Sequence, residues 1–467
     1  MKTFELIIIG GGAGAFAAAI RANELKAKTA MINSGLPWGG TCVNVGCVPS
    51  KTLLYASEVL YHAKHHGVAG IELEIQNFDF QKVVEDELSL VEKLRNEKYE
   101  KVLKNLEYVT AIEGRAKFVS QNEVEVNGEK LRAEKFIIAA GSTANVSQIE
   151  GIHEVGFITH IEALRLNYQP KELIVIGAGP LGLEFAQMFS RFGTKVTILQ
   201  RGDSILSYAE KELTDRLSEI LSKEGITIKT HVEVKSARIE DTKKVVSYHI
   251  GKSQEEVSAD EILVATGKTP NTHGLGLDIV EVEVNKTYAI IVNQYFQTSN
   301  PNIFAVGDIT NLPLRLETTA GREGTLAAEN ALKGTTLSID YHTVPYTIFT
   351  DPQIAGVGFT EEKLIKQIGV CDCRTTSFAD VPKAIIMRRT EGLIKMVIHP
   401  QTKQILGVHI LAPNAGELIA EAMMLIKNKN TIDDVVNSLP MFPTLSEAIK
   451  ITALSFSKDI SKLSCCI

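Results

Sequence analysis

The sequence predicts an α/β protein with two doubly wound domains followed by a carboxyl-terminal α+β domain. Three observations carry this. A strand, glycine turn, helix and second strand follow one another twice, over residues 4–32 and 172–199. Past about residue 338 the pattern changes to strand-like segments at 392–398 and 405–410, then the helical stretch GELIAEAMMLIK. Finally, 467 residues exceed one ordinary hydrophobic core, so about three domains are expected.

Composition narrows the function classes. Hydrophobic residues at 44% and charged residues at 22% give the balance of a soluble globular enzyme. A net charge of −7 supplies no basic field for nucleic acid or an anionic membrane surface. No apolar run reaches membrane-spanning length, and no cleavable apolar core follows Lys2. Six cysteines in so long a chain do not form a secreted disulfide framework; in a reducing cytoplasm they point to catalysis or metal binding. A cytoplasmic protein is the expectation.

Taken in order, residues 4–9 form a buried parallel strand that runs into GGGAGA and an alanine-rich helix. Gly10, Gly12 and Ala15 fit G-x-G-x-x-G/A, in which glycines permit a tight turn and bring backbone N–H groups to a pyrophosphate. The following strand ends at Asn33, where a ribose-binding acid is usual; its amide still offers hydrogen bonds. The second copy carries Gly177, Gly179 and Gly182, and its second strand ends in Gln200-Arg201. An acid there would favour NAD, whereas a neutral residue followed by arginine suits the 2′-phosphate of NADPH. Both copies therefore predict Rossmann-like dinucleotide-binding domains.

Between them lies GGTCVNVGCVPSK, with a helix expected to begin at Pro49-Ser50-Lys51. Thiols at a helix start gain thiolate character from the macrodipole and free N–H groups, and Lys51 adds a cation. Half of a zinc site and buried structural thiols are the other readings of Cys42 and Cys47, but no second pair at matching spacing completes a zinc site. Leu88, Val91, Leu94, Val102 and Leu106 recur at helical spacing and predict one amphipathic helix. Cys371-Asp372-Cys373 is expected in a loop as two partly exposed thiols without a role.

Five segments in this order resemble the pyridine nucleotide–disulfide oxidoreductases: GGGAGA, GGTCVNVGCVPSK, GAGPLGLEFA, ATGKTPNT at 265–272 and AVGDIT at 305–310. The resemblance spans nearly the whole chain. It implies an FAD-binding domain at 1–145, an NAD(P)-binding domain at 146–271, a central segment at 272–337 completing the FAD site, and an interface domain at 338–467 that forms a homodimer. Asp308 would bind the ribityl or pyrophosphate region of the flavin, and Thr41, Gly141 and Gly267 join the cofactor-binding set. Cys47 would touch the flavin and Cys42 would exchange with substrate, while Lys51 would lie near the flavin N5 and pair with Glu184.

The carboxyl end separates branches of the family. Members acting on disulfides or dihydrolipoamide carry H-x-H-P-T-x-x-E, whose second histidine is the proton-transfer base. Here the segment is PMFPTLSE: Phe442 takes the histidine's place and Glu447 remains. Phenylalanine carries no proton. Together with the tail KDISKLSCCI, this resembles the branch that reduces Hg(II) to Hg(0). Cys465 and Cys466 would collect Hg(II) from thiol complexes and pass it to Cys42 and Cys47 of the partner subunit, since soft metals prefer thiolates. In three respects this chain differs from members of that branch. Many carry a metal-binding domain that does not precede Met1 here, and some have tyrosines where Thr444 and Pro180 stand. A dihydrolipoamide dehydrogenase or related disulfide reductase, favoured by TLSE, and a metal-sequestering thiol flavoprotein are the alternatives.

Overall fold

Leu6, Ile7, Ile8 and Ile9 are all buried, as a strand covered on both faces requires. In the computed structural model, which describes residues 1–146 and 148–464, they belong to the strand Lys2–Ile9. Cys465 and Cys466 lie outside the described residues. The chain falls into two compact units. The first holds Met1–Thr52, Gln81–Val146 and Gly267–Tyr341; the second holds Leu53–Phe80, Ser147–Thr266 and His342–Ile467.

In the first unit, Lys2–Ile9 pairs in parallel with Thr29–Asn33 on one side and Glu129–Ile138 on the other. Val109–Glu113 and Ile303–Ala305 extend this parallel set, and antiparallel Glu123–Val126 and Lys117–Ser120 complete a seven-stranded sheet. Helix Ala13–Glu24 meets helix Glu317–Lys333 backbone to backbone. A Cβ on Gly324 would lie 2.0 Å from the Gly14 carbonyl oxygen, so only glycine allows this approach. Ala15, Ala18, Ala19 and Ala22 join Ala327 and Ala328 in the core beside it. The expected single amphipathic helix is instead Phe80–Arg95, a π-helical turn Asn96–Glu100 and a short helix Lys101–Lys104. The wide turn carries Tyr99, whose ring meets Phe16 edge to face with centroids 5.0 Å apart.

The second unit contains a parallel sheet ordered Thr227–Lys229, Lys195–Leu199, Glu172–Ile176, Glu261–Val264, which includes the second glycine turn. It also holds an antiparallel sheet ordered Tyr346–Ile348, Gln353–Gly358, Ile405–Ala412, Leu393–Ile398, Asp372–Ser377. Cys373 lies in the last of these, opposite Val397, and not in the expected loop. The polar segment DCRTTS becomes an edge strand because the apolar Leu393–Ile398 offers it a ladder, so tertiary context decides its conformation.

A buried ionic hub ties distant segments of this unit together. Arg191 donates to both oxygens of Glu224 at 2.8 and 3.0 Å and to Asp351 Oδ2 at 2.9 Å. Arg389 also donates to Asp351, and His62 Nε2 lies 2.7 Å from it. Burial pushes the Asp351 carboxyl up, but the His62 hydrogen bond and the two guanidinium charges reverse this and hold it well below the ordinary range.

Candidate active site

Three glycines fold the dithiol segment onto the first glycine turn. Gly39 and Gly40 have φ of 99° and 63°, and a Cβ on Gly40 would sit 2.5 Å from the Cα of Gly12. Gly46 separates two helices, Gly40–Val45 and Cys47–His65; a Cβ there would meet the Thr41 carbonyl oxygen at 2.9 Å. Cys42 therefore lies inside a short helix, and Cys47 opens the long one two residues before the expected start. The Asn44 amide ties the loop together by donating to the carbonyls of Pro37 and Gly40 at 3.1 and 2.8 Å.

Cys42 is half-buried and Cys47 exposed. Glu317, at the start of helix Glu317–Lys333, joins them. The two Sγ atoms and a Glu317 carboxylate oxygen all lie within 4.8 Å of one another, and Cys47 Sγ is 3.9 Å from Glu317 Oε2. The Tyr99 hydroxyl donates to the other carboxylate oxygen at 3.4 Å. These distances suit capture of one soft cation by two thiolates and a carboxylate. The expected lowering of thiol pKa is reversed at Cys42. The hydrogen bond with Cys47, burial, the Cys47 charge and then Glu317 all push its thiol up. A six-residue helix has too little dipole to offset them.

Sequence reasoning missed Glu317 and Tyr99. An acid in the first turn of a helix is ordinary dipole complementation, and nothing local distinguishes this one.

The glycine turns separate into roles that fit dinucleotides. A Cβ on Gly10 would lie 2.2 Å from the Ala139 carbonyl oxygen, and one on Gly177 would lie 2.5 Å from that of Ala265. On Gly182 it would meet the Gly177 carbonyl oxygen at 2.0 Å. The middle glycines are different: a Cβ on Gly12 has its nearest neighbour at 3.8 Å, and one on Gly179 has nothing within 4 Å. They open onto space at helix N-termini, the kind of place that suits a pyrophosphate. Ala15 is fully buried.

The remaining predicted positions surround these turns. Asn33 donates to the Leu36 carbonyl at 2.9 Å with its side chain folded against Gly11. Ser142 donates to Asp308 at 2.7 Å. Asp308 follows Gly307, whose N–H donates to the buried Glu323 at 2.7 Å; Tyr341 donates to the same carboxylate at 2.8 Å. Gly141 adopts φ 67° and Gly267 φ 111°, while Thr41 is exposed. Gln200 accepts from Ala178 N–H and donates to the Ser204 carbonyl, each at 3.1 Å, so its amide braces its own turn. Arg201 is exposed.

Lys51 is half-buried in the first unit. In the second, Glu184 is buried and accepts from Phe349 N–H at 2.8 Å. Phe442 is 44% exposed, and Glu447 is buried at a helix start, accepting from Thr444 N–H at 3.0 Å.

Comparison with known proteins gives the family. Residues 4–330 match the model of the pyridine nucleotide-disulphide oxidoreductases, and residues 344–453 match the dimerisation domain of the same family. A mercuric reductase of Lysinibacillus sphaericus is 39% identical over 99% of this chain and 84% of its own length. The mitochondrial dihydrolipoyl dehydrogenase of Pisum sativum is 36% identical over 97% of this chain and 91% of its own. The Cu(II) complex of the HOCl-induced flavoprotein disulfide reductase RclA from Escherichia coli superposes with a TM-score of 0.86. It is 27% identical, over 98% of this chain and 100% of that one.

Proposed function

We propose that this chain, which belongs to the pyridine nucleotide-disulphide oxidoreductase family, reduces Hg(II) to Hg(0) with NADPH. One observation supports this reading most. Two thiols and the Glu317 carboxylate form a three-donor cluster, while Phe442 stands where disulfide-reducing relatives keep a proton carrier.

The family implies FAD and a pyridine nucleotide. FAD, when bound, supplies the two-electron relay between nicotinamide and dithiol. In this reading residues 1–145 and 272–337 hold it. Gly12 admits the pyrophosphate, Gly10 and Ala15 give the tight turn and the helix packing beside it, Asn33, Thr41, Gly141 and Asp308 complete the site, and Lys51 contributes a cation. Residues 146–271 bind NADPH through Gly177, Gly179, Gly182 and Gln200, with Arg201 on the 2′-phosphate, and Gly267 is a further cofactor-binding position. Glu184 and Glu447 are supporting carboxylates.

Cys42 and Cys47 bind Hg(II) as thiolates, and Glu317, oriented by Tyr99, offers a third donor. The metal takes two electrons and leaves as Hg(0). No proton has to reach a departing thiol, so Phe442 is tolerable at its position. Cys465 and Cys466 collect Hg(II) from thiol complexes and deliver it across a homodimer interface. The need for NADPH and reduced thiols places the reaction in the cytoplasm.

The test is NADPH oxidation by the purified FAD protein with Hg(II) and excess small thiol, beside the same assay with lipoamide. Hg(II)-dependent turnover well above the lipoamide rate is expected. The retained Glu447, bonded to Thr444, favours the second reading, a lipoamide or related disulfide reductase. Lipoamide turnover without Hg(II) turnover would establish that reading instead. Any metal-dependent oxidation of NADPH excludes mere sequestration.

A further inference from the structure

We infer that Cys371, Cys373 and Glu361 form a second metal site, built for a soft or borderline divalent cation such as zinc or cadmium. It uses none of the residues assigned to the redox dithiol and does not depend on the proposed reaction. Cys373 lies in the edge strand Asp372–Ser377 and Cys371 immediately precedes that strand, two residues away, and the two thiols meet on one side. Their Sγ atoms are 2.9 Å apart, and Cys371 Sγ lies 3.7 Å from Glu361 Oε1. All three donor atoms fall within 4.8 Å of one another. Tetrahedral thiolates about 2.3 Å from a zinc-sized ion lie roughly 3.8 Å apart, which a small rotation at each cysteine supplies. Both thiols are half-buried, accessible to an ion yet sheltered.

The carboxylate is held in place by its neighbours. Lys395, buried on the adjacent strand, donates to Glu361 Oε2 at 2.6 Å, leaving Oε1 directed at Cys371. The same ammonium contacts Glu212 at 3.0 Å and Glu210 at 3.2 Å. Glu210 in turn accepts from Glu361 N–H at 2.7 Å, fixing the start of helix Glu361–Ile368. A donor oriented by an outer ring of hydrogen bonds is the usual support of a metal ligand. Three carboxylates around one ammonium also leave a negative surplus that attracts a cation. Two thiols select a soft ion and the carboxylate admits a borderline one, so the donor set disfavours calcium and magnesium.

The experiment titrates Cd(II) into the full-chain FAD protein and its Cys371→Ser/Cys373→Ser variant, without NADPH, following thiolate-to-cadmium absorbance. Wild type should bind one equivalent more than the variant, and a thiol reagent should count two more reactive thiols in it. Glu361→Gln keeps both thiols and should weaken that equivalent about 10-fold or more. Equal cadmium stoichiometry in wild type and the cysteine variant would overturn the site. So would wild type showing no extra reactive thiols, since the pair would then be a disulfide. If the double serine variant fails to fold, unchanged affinity in Glu361→Gln is the result that rejects this donor set.

Discussion

Cys42 titrates in the company of Cys47 and Glu317, and each of them opposes its ionisation. Removing a neighbouring negative group lowers the pH at which a thiolate forms. In the reduced protein, Cys47→Ala should shift the pH midpoint of iodoacetamide alkylation at Cys42 downwards, because it removes the largest contribution. Adding Glu317→Gln should shift it further down. An unchanged midpoint in the second step would remove Glu317 from the site's electrostatics. Arg201 poses a separate question at the same scale. A charge-assisted contact to a 2′-phosphate is worth about 1.5–3 kcal/mol. At ~1.4 kcal/mol per decade, Arg201→Ala should cut the preference for NADPH over NADH roughly 10–100-fold. The ratio of the two kcat/KM values checks this; an unaltered ratio would place the phosphate elsewhere.

The segments joined at Asp351 are far apart in sequence: helix Cys47–His65 supplies His62, helix Pro180–Phe192 supplies Arg191, and Arg389 follows helix Pro382–Ile386. Leaving a buried charge without its partner costs about 3–5 kcal/mol, so Asp351→Asn should lower the melting temperature clearly at pH 7. The pH dependence follows from the carboxyl's depressed pKa. Its contribution is complete above the ordinary aspartate value of about 3.9 and is lost as pH falls through the lower folded value. Wild type should therefore lose stability steeply on acidification below about pH 4, whereas the variant starts lower and declines less. Parallel acid limbs in the two melting profiles would contradict this assignment. The hub also marks what a sequence conceals. The glycine turns were legible because the G-x-G-x-x-G/A spacing falls within one short stretch, although its positions meet different demands: Gly10, Gly177 and Gly182 lie against backbone, while Gly12 opens onto space. Asp351 and Glu317 acquire their partners only through tertiary folding, and no spacing announces them. Likewise DCRTTS carries no strand signal of its own and becomes one beside Leu393–Ile398.

At the scale of the whole molecule, the segment around Phe442 is unusually apolar for a surface. Leu439 is 94% exposed and Met441 77%, beside exposed Phe442, within the stretch that matches the family's dimerisation domain. A second copy of this chain is the occupant that both facts favour. Leu439→Glu/Met441→Glu should convert the dimer to monomer in sedimentation, and retention of a dimer would move the interface elsewhere. Dimerisation gives the tail its proposed role and its test. If Cys465 and Cys466 deliver metal, replacing both with alanine should spare reduction by NADPH but impair turnover of Hg(II) held by bulky thiols. Small complexes such as the bromide, which reach Cys42 and Cys47 unaided, should be less affected. A hybrid dimer then distinguishes the route, pairing a subunit without the tail cysteines with one lacking only the inner pair. Transfer between subunits leaves one complete site, made from the tail of the second and the dithiol of the first. Transfer within a subunit leaves none, because each chain lacks one half of the path. Activity near half that of wild type with thiol-complexed Hg(II) is expected, and an inactive hybrid would reject delivery across the interface.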